Sequence, residues 1–495
     1  MNVDVVRVAR VDNSARPSSH ERRQASSLTA LIIVFFSLWL GLEAPRETMW
    51  GTDELLTAER SREMVTTAEP WVVHYNFQRS FEKPPLQYWL TSFTLPRFHD
   101  RAVAVRIWPL VYAIFTAIAL AWLVRAIAPK EPWLVPLSVA ILLSAPLFAP
   151  ESARGLLDVG LAFFTTLTIL CAELARRKPW WWLGAAIACW LGSLQKMPVP
   201  FLVWVLIVLV RLTNGESRAQ LRRDVGWLVG SLLFAIVLTS IWPLVQLIRY
   251  EMPVGSVFQQ EVVVWLGPDW LGRRPYFEIP ISMSLHPGGL CGFLSLIALL
   301  VILFSRKKPS KLAIQEIALW SLAFLVLAIV SNFRHIRYAI PIVPCLCLLL
   351  AIVFYRFLRQ SPPVRTWAAV GLLVLLSASF VHSKIIINSR RKDVADEKLI
   401  AEKLGELQQE GTEIVLIKAT TPGNDLLWDS FYLFHGNLRF PVNERTVNQV
   451  RSNPPKAPFI GVCIVRDFPV VQALYPNVQV ELARAQFICW RVPQS

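Results

Sequence analysis

The chain has 495 residues, of which 54% are hydrophobic and only 17% charged. That balance excludes an ordinary soluble globular protein of this length and points to a membrane protein. The net charge of +15 would suit a nucleic-acid binder if Lys and Arg shared one face; they fall instead in short clusters between long apolar runs, which excludes that class and marks them as topology signals.

Residues 1–25 are polar, Arg- and Ser-containing, and are expected to be a disordered cytoplasmic N-terminus. Eleven apolar windows follow, each near the roughly 20 residues that a helix needs to cross hydrocarbon. They lie at 26–42, 102–124, 132–150, 158–175, 179–195, 197–212, 225–249, 280–304, 312–331, 336–357 and 366–387. No small-residue cleavage pattern follows the first, so it is read as a span and not as a signal peptide. With the N-terminus inside, the basic clusters at Arg22 and Arg23, Arg176 to Lys178, Arg218 to Arg223 and Arg306 to Lys311 all fall on the cytoplasmic side, while the short outer loops hold few cations. The agreement requires that Pro84 to Pro96, apolar but short and opened by Pro-Pro, be an interfacial or re-entrant helix on the outer face. Residues 26–387 are thus expected to be an all-α polytopic membrane domain with a long first outer loop at 43–101 and a second at 250–279.

Residues 388–495 are less apolar. An amphipathic stretch at 394–409 and strand patterns at 413–419, 458–465, 478–483 and 485–492 predict a small extracytoplasmic α/β domain. Five of the seven cysteines sit in or beside apolar helices as small hydrophobes, whereas Cys463 and Cys489 lie in the tail, where a disulfide is conceivable.

Chemistry concentrates in the first outer loop, WGTDELLTAERSREM at 50–64 and FEKPPLQYWL at 81–90. Solubility does not require the Asp53–Glu54 pair near the bilayer; sugar transfer does, because an acceptor hydroxyl or amine loses a proton as it attacks the anomeric carbon. Lys83 stands just before the Pro-Pro that opens the interfacial segment, at the depth where a lipid phosphate keeps its charge. Asp158 ends RGLLD at the start of the fourth window, on the same side as Asp53, with Arg154 one turn earlier as its candidate partner. Lys196 in QKMPVP, Arg273 and Arg274, His286 and the run FRHIRYAIPIVP at 333–344 add basic groups on that face, suited to an anionic phosphate.

The DE pair, REM, EKPPLQYWL, RGLLD at 154–158, GSLQKMPVP at 192–200 and RYAIPIVP at 337–344, taken in order, resemble the GT-C fold glycosyltransferases of the dolichyl-phosphate-mannose protein mannosyltransferase and lipid A aminoarabinose transferase group. The resemblance implies about 11–13 transmembrane helices and an inverting transfer of sugar from a polyprenyl-phosphate donor to a lipid, polysaccharide or protein acceptor, at the outer face of a bacterial inner membrane. It implies catalytic Asp53, Asp158 and Glu54, and a donor phosphate held by Lys83, Arg60, Arg274, Tyr338 and Lys196. Some relatives bind a divalent metal through the residue matching Glu82 and a His of the second long loop; here 250–279 contains no His, so no metal or other cofactor is assigned. Met197 stands where the group usually has Gly. An oligosaccharide ligase or oligosaccharyltransferase-like enzyme is the alternative on the same fold. A transporter would need charges along a path at mid-helix, and here they gather at loops.

Overall fold

The computed structural model describes residues 17–46, 48–49, 52–67, 69–252, 278–305, 312–330, 335–418, 429–484 and 486–494. The expected disordered stretch lies outside these residues up to position 16; from Ser19 the chain is already helical. The reason is local. Ser18 and Glu21 form a reciprocal capping box that starts α1 (Ser19–Glu43) before its apolar run begins.

A loop helix, α2 (Thr52–Thr66), a two-residue hairpin, β1 (His74–Tyr75) and β2 (Gln78–Arg79), and a short helix, α3 (Leu86–Thr94), separate α1 from α4 (Arg101–Ile127). The remaining membrane-domain helices run in order: α5 (Leu134–Ser144), α6 (Ala149–Ser152), α7 (Asp158–Ala175), α8 (Trp181–Gln195), α9 (Val199–Leu212), α10 (Gly215–Arg223), α11 (Val225–Tyr250), α12 (Glu278–Ser284), α13 (Gly289–Phe304), α14 (Leu312–Val330), α15 (Val343–Leu358) and α16 (Pro362–Ser389). A 3-10 turn over Ile336–Ile342 leads into α15.

Every one of the eleven apolar windows is helical, and the chain is a multi-pass membrane protein. Among the described residues, however, seven helices are long and apolar enough to cross on their own, or up to nine if each bent pair, α9 with α10 and α12 with α13, is one span. The two other windows, 132–150 and 179–195, hold the shorter helices α5 and α8. In α5 the cause is Pro146: it forces Ala145 into extended backbone and ends the helix after 11 residues, which reach about half the hydrocarbon thickness. At nine residues α3 is also too short to cross, as expected for an interfacial segment.

After α16 come α17 (Ala395–Leu407), β3 (Glu413–Lys418), α18 (Asp429–His435), β4 (Val442–Thr446), α19 (Val447–Ser452), β5 (Phe459–Ile464), α20 (Phe468–Leu474), β6 (Gln479–Arg484) and β7 (Phe487–Val492). The sheet has the order β4-β3-β5-β7-β6, parallel across its first three strands and antiparallel across the rest. One face packs Ile414, Leu416, Phe431 and Leu404 in a continuous core with Met49, Leu55 and Ala58 of the first loop and Val105 of α4. The tail is thereby docked on α2. Arg101 donates to the carbonyl of Phe434 at 2.9 Å, and the Asn76 side chain bonds both the N–H and the carbonyl of Val442.

The disulfide idea fails on strand parity. Cys463 pairs in register with Ile488 and Cys489 with Val462, so adjacent strands turn the two thiols to opposite faces. Each is buried in a different core, and both are free.

Candidate active site

Six segments, α2, 82–88, the start of α4, 151–158, 195–196 and 337–338, meet at the end of the helical bundle that carries α2 and α3. The organiser is Glu54. Its two oxygens accept from Arg106 of α4, Nε at 2.6 Å and Nη2 at 2.8 Å, and Oε1 also accepts from the backbone N–H of Gly155 at 2.8 Å. Burial alone would raise the Glu54 pKa, but the Arg106 charge and hydrogen bonds outweigh it, and the carboxyl is held below its ordinary value. Both side chains are 1% exposed. Glu54 thus clamps the RGLLD turn against α2. Only glycine tolerates this approach at 155, since a Cβ there would stand 2.3 Å from Val105 Cγ1.

The clamped turn delivers Asp158 to the first residue of α7. Its carboxylate accepts from Lys196 at 2.8 Å, and the Lys196 ammonium lies 4.7 Å from the centre of the Tyr338 ring. One residue earlier, Gln195 donates to the carbonyl of Leu157 and to the side chain of Gln87, both at 3.1 Å. Residues from RGLLD, SLQKMP and KPPLQ are thereby tied by one amide. Arg154, expected beside Asp158, instead faces Glu151, one turn before it, at 3.8 Å, and Glu151 also pairs with Arg390.

Asp53, at the start of α2, is half exposed and paired with Arg337. Arg337 also lies within electrostatic reach of Asp158 and Glu151, so one guanidinium is shared among three acids. Seven residues on from Asp53, and therefore on the same face of α2 about 10 Å away, Arg60 donates to Glu82 at 2.6 Å and to Tyr88 at 3.3 Å. Its guanidinium also sits over the rings of Tyr75 and Tyr88. Lys83 is half-buried next to Glu82, immediately before the buried Pro84 and Pro85. The two ends of the α2 face are chemically different: an accessible carboxylate at Asp53, and at Arg60 a guanidinium held by Glu82, with Lys83 next to Glu82 in sequence.

Of the sequence-predicted site residues, Asp53, Glu54, Asp158, Lys196 and Tyr338 come together, Arg60, Glu82 and Lys83 form the neighbouring patch, and Arg274 lies outside the described residues. Among the described residues no three His, Cys, Asp or Glu side chains converge to hold a metal. Sequence reasoning missed Arg106, Gln87 and Gln195, and read Arg337 within a basic run suited to phosphate, not as the partner of Asp53. Arg106 did leave a trace, a lone cation inside an apolar window.

Comparison with known proteins bears on the fold and the reaction class. The sequence profile of the dolichyl-phosphate-mannose-protein mannosyltransferase family matches residues 27–252. An undecaprenyl phosphate-alpha-4-amino-4-deoxy-L-arabinose arabinosyl transferase of Pseudomonas paraeruginosa is 26% identical over 400 residues, covering 76% of this chain and 68% of its own. The Yersinia enterocolitica enzyme of the same description is 30% identical over 187 residues, 36% of this chain and 33% of its own. Among solved structures, ArnT from Cupriavidus metallidurans bound to undecaprenyl phosphate superposes with a TM-score of 0.70 at 16% identity, covering 94% of this chain and 98% of that one. The oligosaccharyltransferase AglB of Archaeoglobus fulgidus gives 0.62 at 13% identity, over 86% of this chain and 65% of that one. At these identities the superpositions establish the fold. Together with the sequence matches, they show a GT-C fold membrane glycosyltransferase similar to the protein mannosyltransferase and aminoarabinose transferase group.

Proposed function

We propose that the chain transfers one sugar, with inversion, from a polyprenyl phosphate to a lipid acceptor of the lipid A type, and that the site faces the periplasmic side of a bacterial inner membrane. The arabinosyl transferase relatives, named for undecaprenyl phosphate-linked aminoarabinose, and the undecaprenyl phosphate bound in ArnT support the donor class. One observation carries the residue roles: Asp53 and Arg60 share a face of α2 about 10 Å apart, the carboxylate at one end and the Arg60–Lys83 patch at the other.

In the transfer, the acceptor oxygen attacks the anomeric carbon and forms the new glycosidic bond while the bond from that carbon to the phosphate oxygen breaks. The acceptor proton passes to the Asp53 carboxylate. The electron pair leaves with the polyprenyl phosphate, whose negative charge Lys83 and Arg60 stabilise. Lys196, with Tyr338 against it, sits beside Asp158 and orders the second acidic loop. Glu54 has a positioning role, since both of its oxygens are engaged in the interior. If a divalent metal took part, Glu82 is the residue here that would meet it, at the cost of releasing Arg60.

The test is transfer of radiolabelled sugar from polyprenyl-phosphate donors in proteoliposomes holding the full chain. Wild type transfers label to a lipid A acceptor and Asp53→Asn loses it. Unchanged transfer by that variant would refute the assignment of Asp53.

A further inference from the structure

A second polar site lies away from the Asp53–Lys83 face. Between the first loop and the end of α11 opens a cavity of about 430 Å³ lined by Glu69, Pro70, Trp71, Arg79, Arg249 and Tyr250. None of the residues given a catalytic or donor role lines it. We propose that this cavity seats the phosphorylated headgroup of the acceptor glycolipid; the proposal rests on the transferase reading above and deepens it.

Charge is the first reason. Arg79 of β2 and Arg249 in the last turn of α11 converge on one ring, their guanidinium carbons 5.3 and 5.6 Å from the centre of Tyr250. Glu69 is the single carboxylate in the lining; it meets Arg79 at 3.3 Å and is shared with His74 at 3.1 Å. Two cations against one acid leave the cavity net positive, and guanidinium groups match phosphate oxygens in a fixed fork.

Shape is the second. The volume falls in the range of small-ligand pockets, and the cavity wall is built into the fold: Trp89 of α3 donates to the carbonyl of Pro70 at 2.6 Å, Gln246 of α11 donates to that of Trp71 at 2.7 Å, and the Trp71 and Trp89 rings meet edge to face at 5.7 Å. Trp89 lies on the helix that Lys83 precedes, so the same short element separates the two sites. The third reason is what adjoins the cavity. Along α11 the side chains of Ile241, Leu244 and Ile248 are exposed, Ile248 by 80%, giving an apolar track on which acyl chains can lie while the headgroup enters.

The full chain, reconstituted in phosphatidylcholine nanodiscs, is assayed for binding of a bis-phosphorylated glucosamine-disaccharide lipid by native mass spectrometry, and separately for transfer to that lipid. Wild type binds it, and binds its dephosphorylated form at least about tenfold more weakly. Arg79→Gln with Arg249→Gln weakens binding about tenfold and raises the acceptor KM by a similar factor while the donor KM stays put; Arg79→Lys with Arg249→Lys recovers part of the loss. The proposal is overturned if the Gln pair binds like wild type, if phosphatidylglycerol competes as well as the glycolipid, which would mark a bulk-lipid anchor, or if millimolar inorganic phosphate displaces it, which would mark a plain anion site. The binding readout needs no turnover, so failure of wild type to transfer sugar, which would refute the transferase reading, is scored apart from failure of the cavity to hold the lipid.

Discussion

The guanidinium of Arg337 donates to the carboxylate of Asp53 across 284 positions of sequence, joining the segment before α15 to the first turn of α2. Asp53 therefore rests paired with a cation that it shares with Asp158 and Glu151. A carboxylate bridged in this way is fixed in direction, so the acceptor hydroxyl must compete with Arg337 for one of its oxygens.

The first prediction follows from that competition. Arg337→Gln frees Asp53 from its orienting partner and removes one of the cations facing Asp158; kcat falls about 10²-fold, and the donor KM changes little because Lys83 and Arg60 are untouched. Arg337→Lys keeps the charge without the planar fork and gives an intermediate rate. Steady-state transfer in proteoliposomes measures all three numbers. A rate increase in Arg337→Gln would mean that the pair restrains the enzyme and does not align it.

Glu54 separates stability from function. Glu54→Ala leaves the buried Arg106 charge without its carboxylate, which costs about 3–5 kcal/mol, and the melting temperature in detergent drops accordingly. The double variant Glu54→Met with Arg106→Leu replaces the ion pair by apolar groups and regains most of that stability. Activity stays low in both, because the Gly155 N–H has lost its acceptor and the turn that delivers Asp158 is no longer clamped to α2.

Gly155 tests the same contact from the other side. Alanine at 155 places its Cβ 2.3 Å from Val105 Cγ1, too close without a shift of the turn or of α4. Gly155→Ala is expected to lose most of the transfer rate, on the order of 10²-fold for a displacement near 1 Å. Adding Val105→Ala opens the space and restores a measurable part of it. If the rescue fails while the protein melts normally, the clash is not the cause.

Much of this site was legible in sequence because its parts are short, polar and set in apolar surroundings: the DE pair, EKPPLQ, RGLLD and QKMP each stand out where a charge is costly. What joins them was not. Gln87 and Gln195 are neutral residues whose meaning comes from meeting one another, and Arg337 read as one more loop cation until the fold brought it to Asp53. Each apolar window holds a helix, but α10 falls between two of them, and composition alone does not register that Pro146 halts α5 at Ser144. In the tail, β4 was missed for a physical reason: VNERT is an edge strand with little apolar signal, and its register is set by β3 on one side and, at Val442, by the Asn76 side chain of the loop.

The docking of that tail makes stability depend on pH. On α2, Glu59 is bound by both nitrogens of the Arg62 fork, at 2.8 and 2.6 Å, and Arg62 reaches Asn437 at 3.4 Å. Glu63, one turn on and buried, accepts from the N–H of Phe77 at 2.9 Å. Burial, and then the neighbouring Glu59, push its pKa up to about 8, so the folded protein holds a proton that the unfolded chain releases near its ordinary value of 4.5. Between those two values the folded state binds more protons than the unfolded one, and stability must fall as pH rises from about 4.5 to about 8, then level off. Glu63→Gln mimics the protonated form and removes this slope, so its melting temperature between pH 5 and pH 8.5 should decline less than that of wild type and exceed it most at the alkaline end. Parallel curves for the two proteins would show that Glu63 does not titrate in this window.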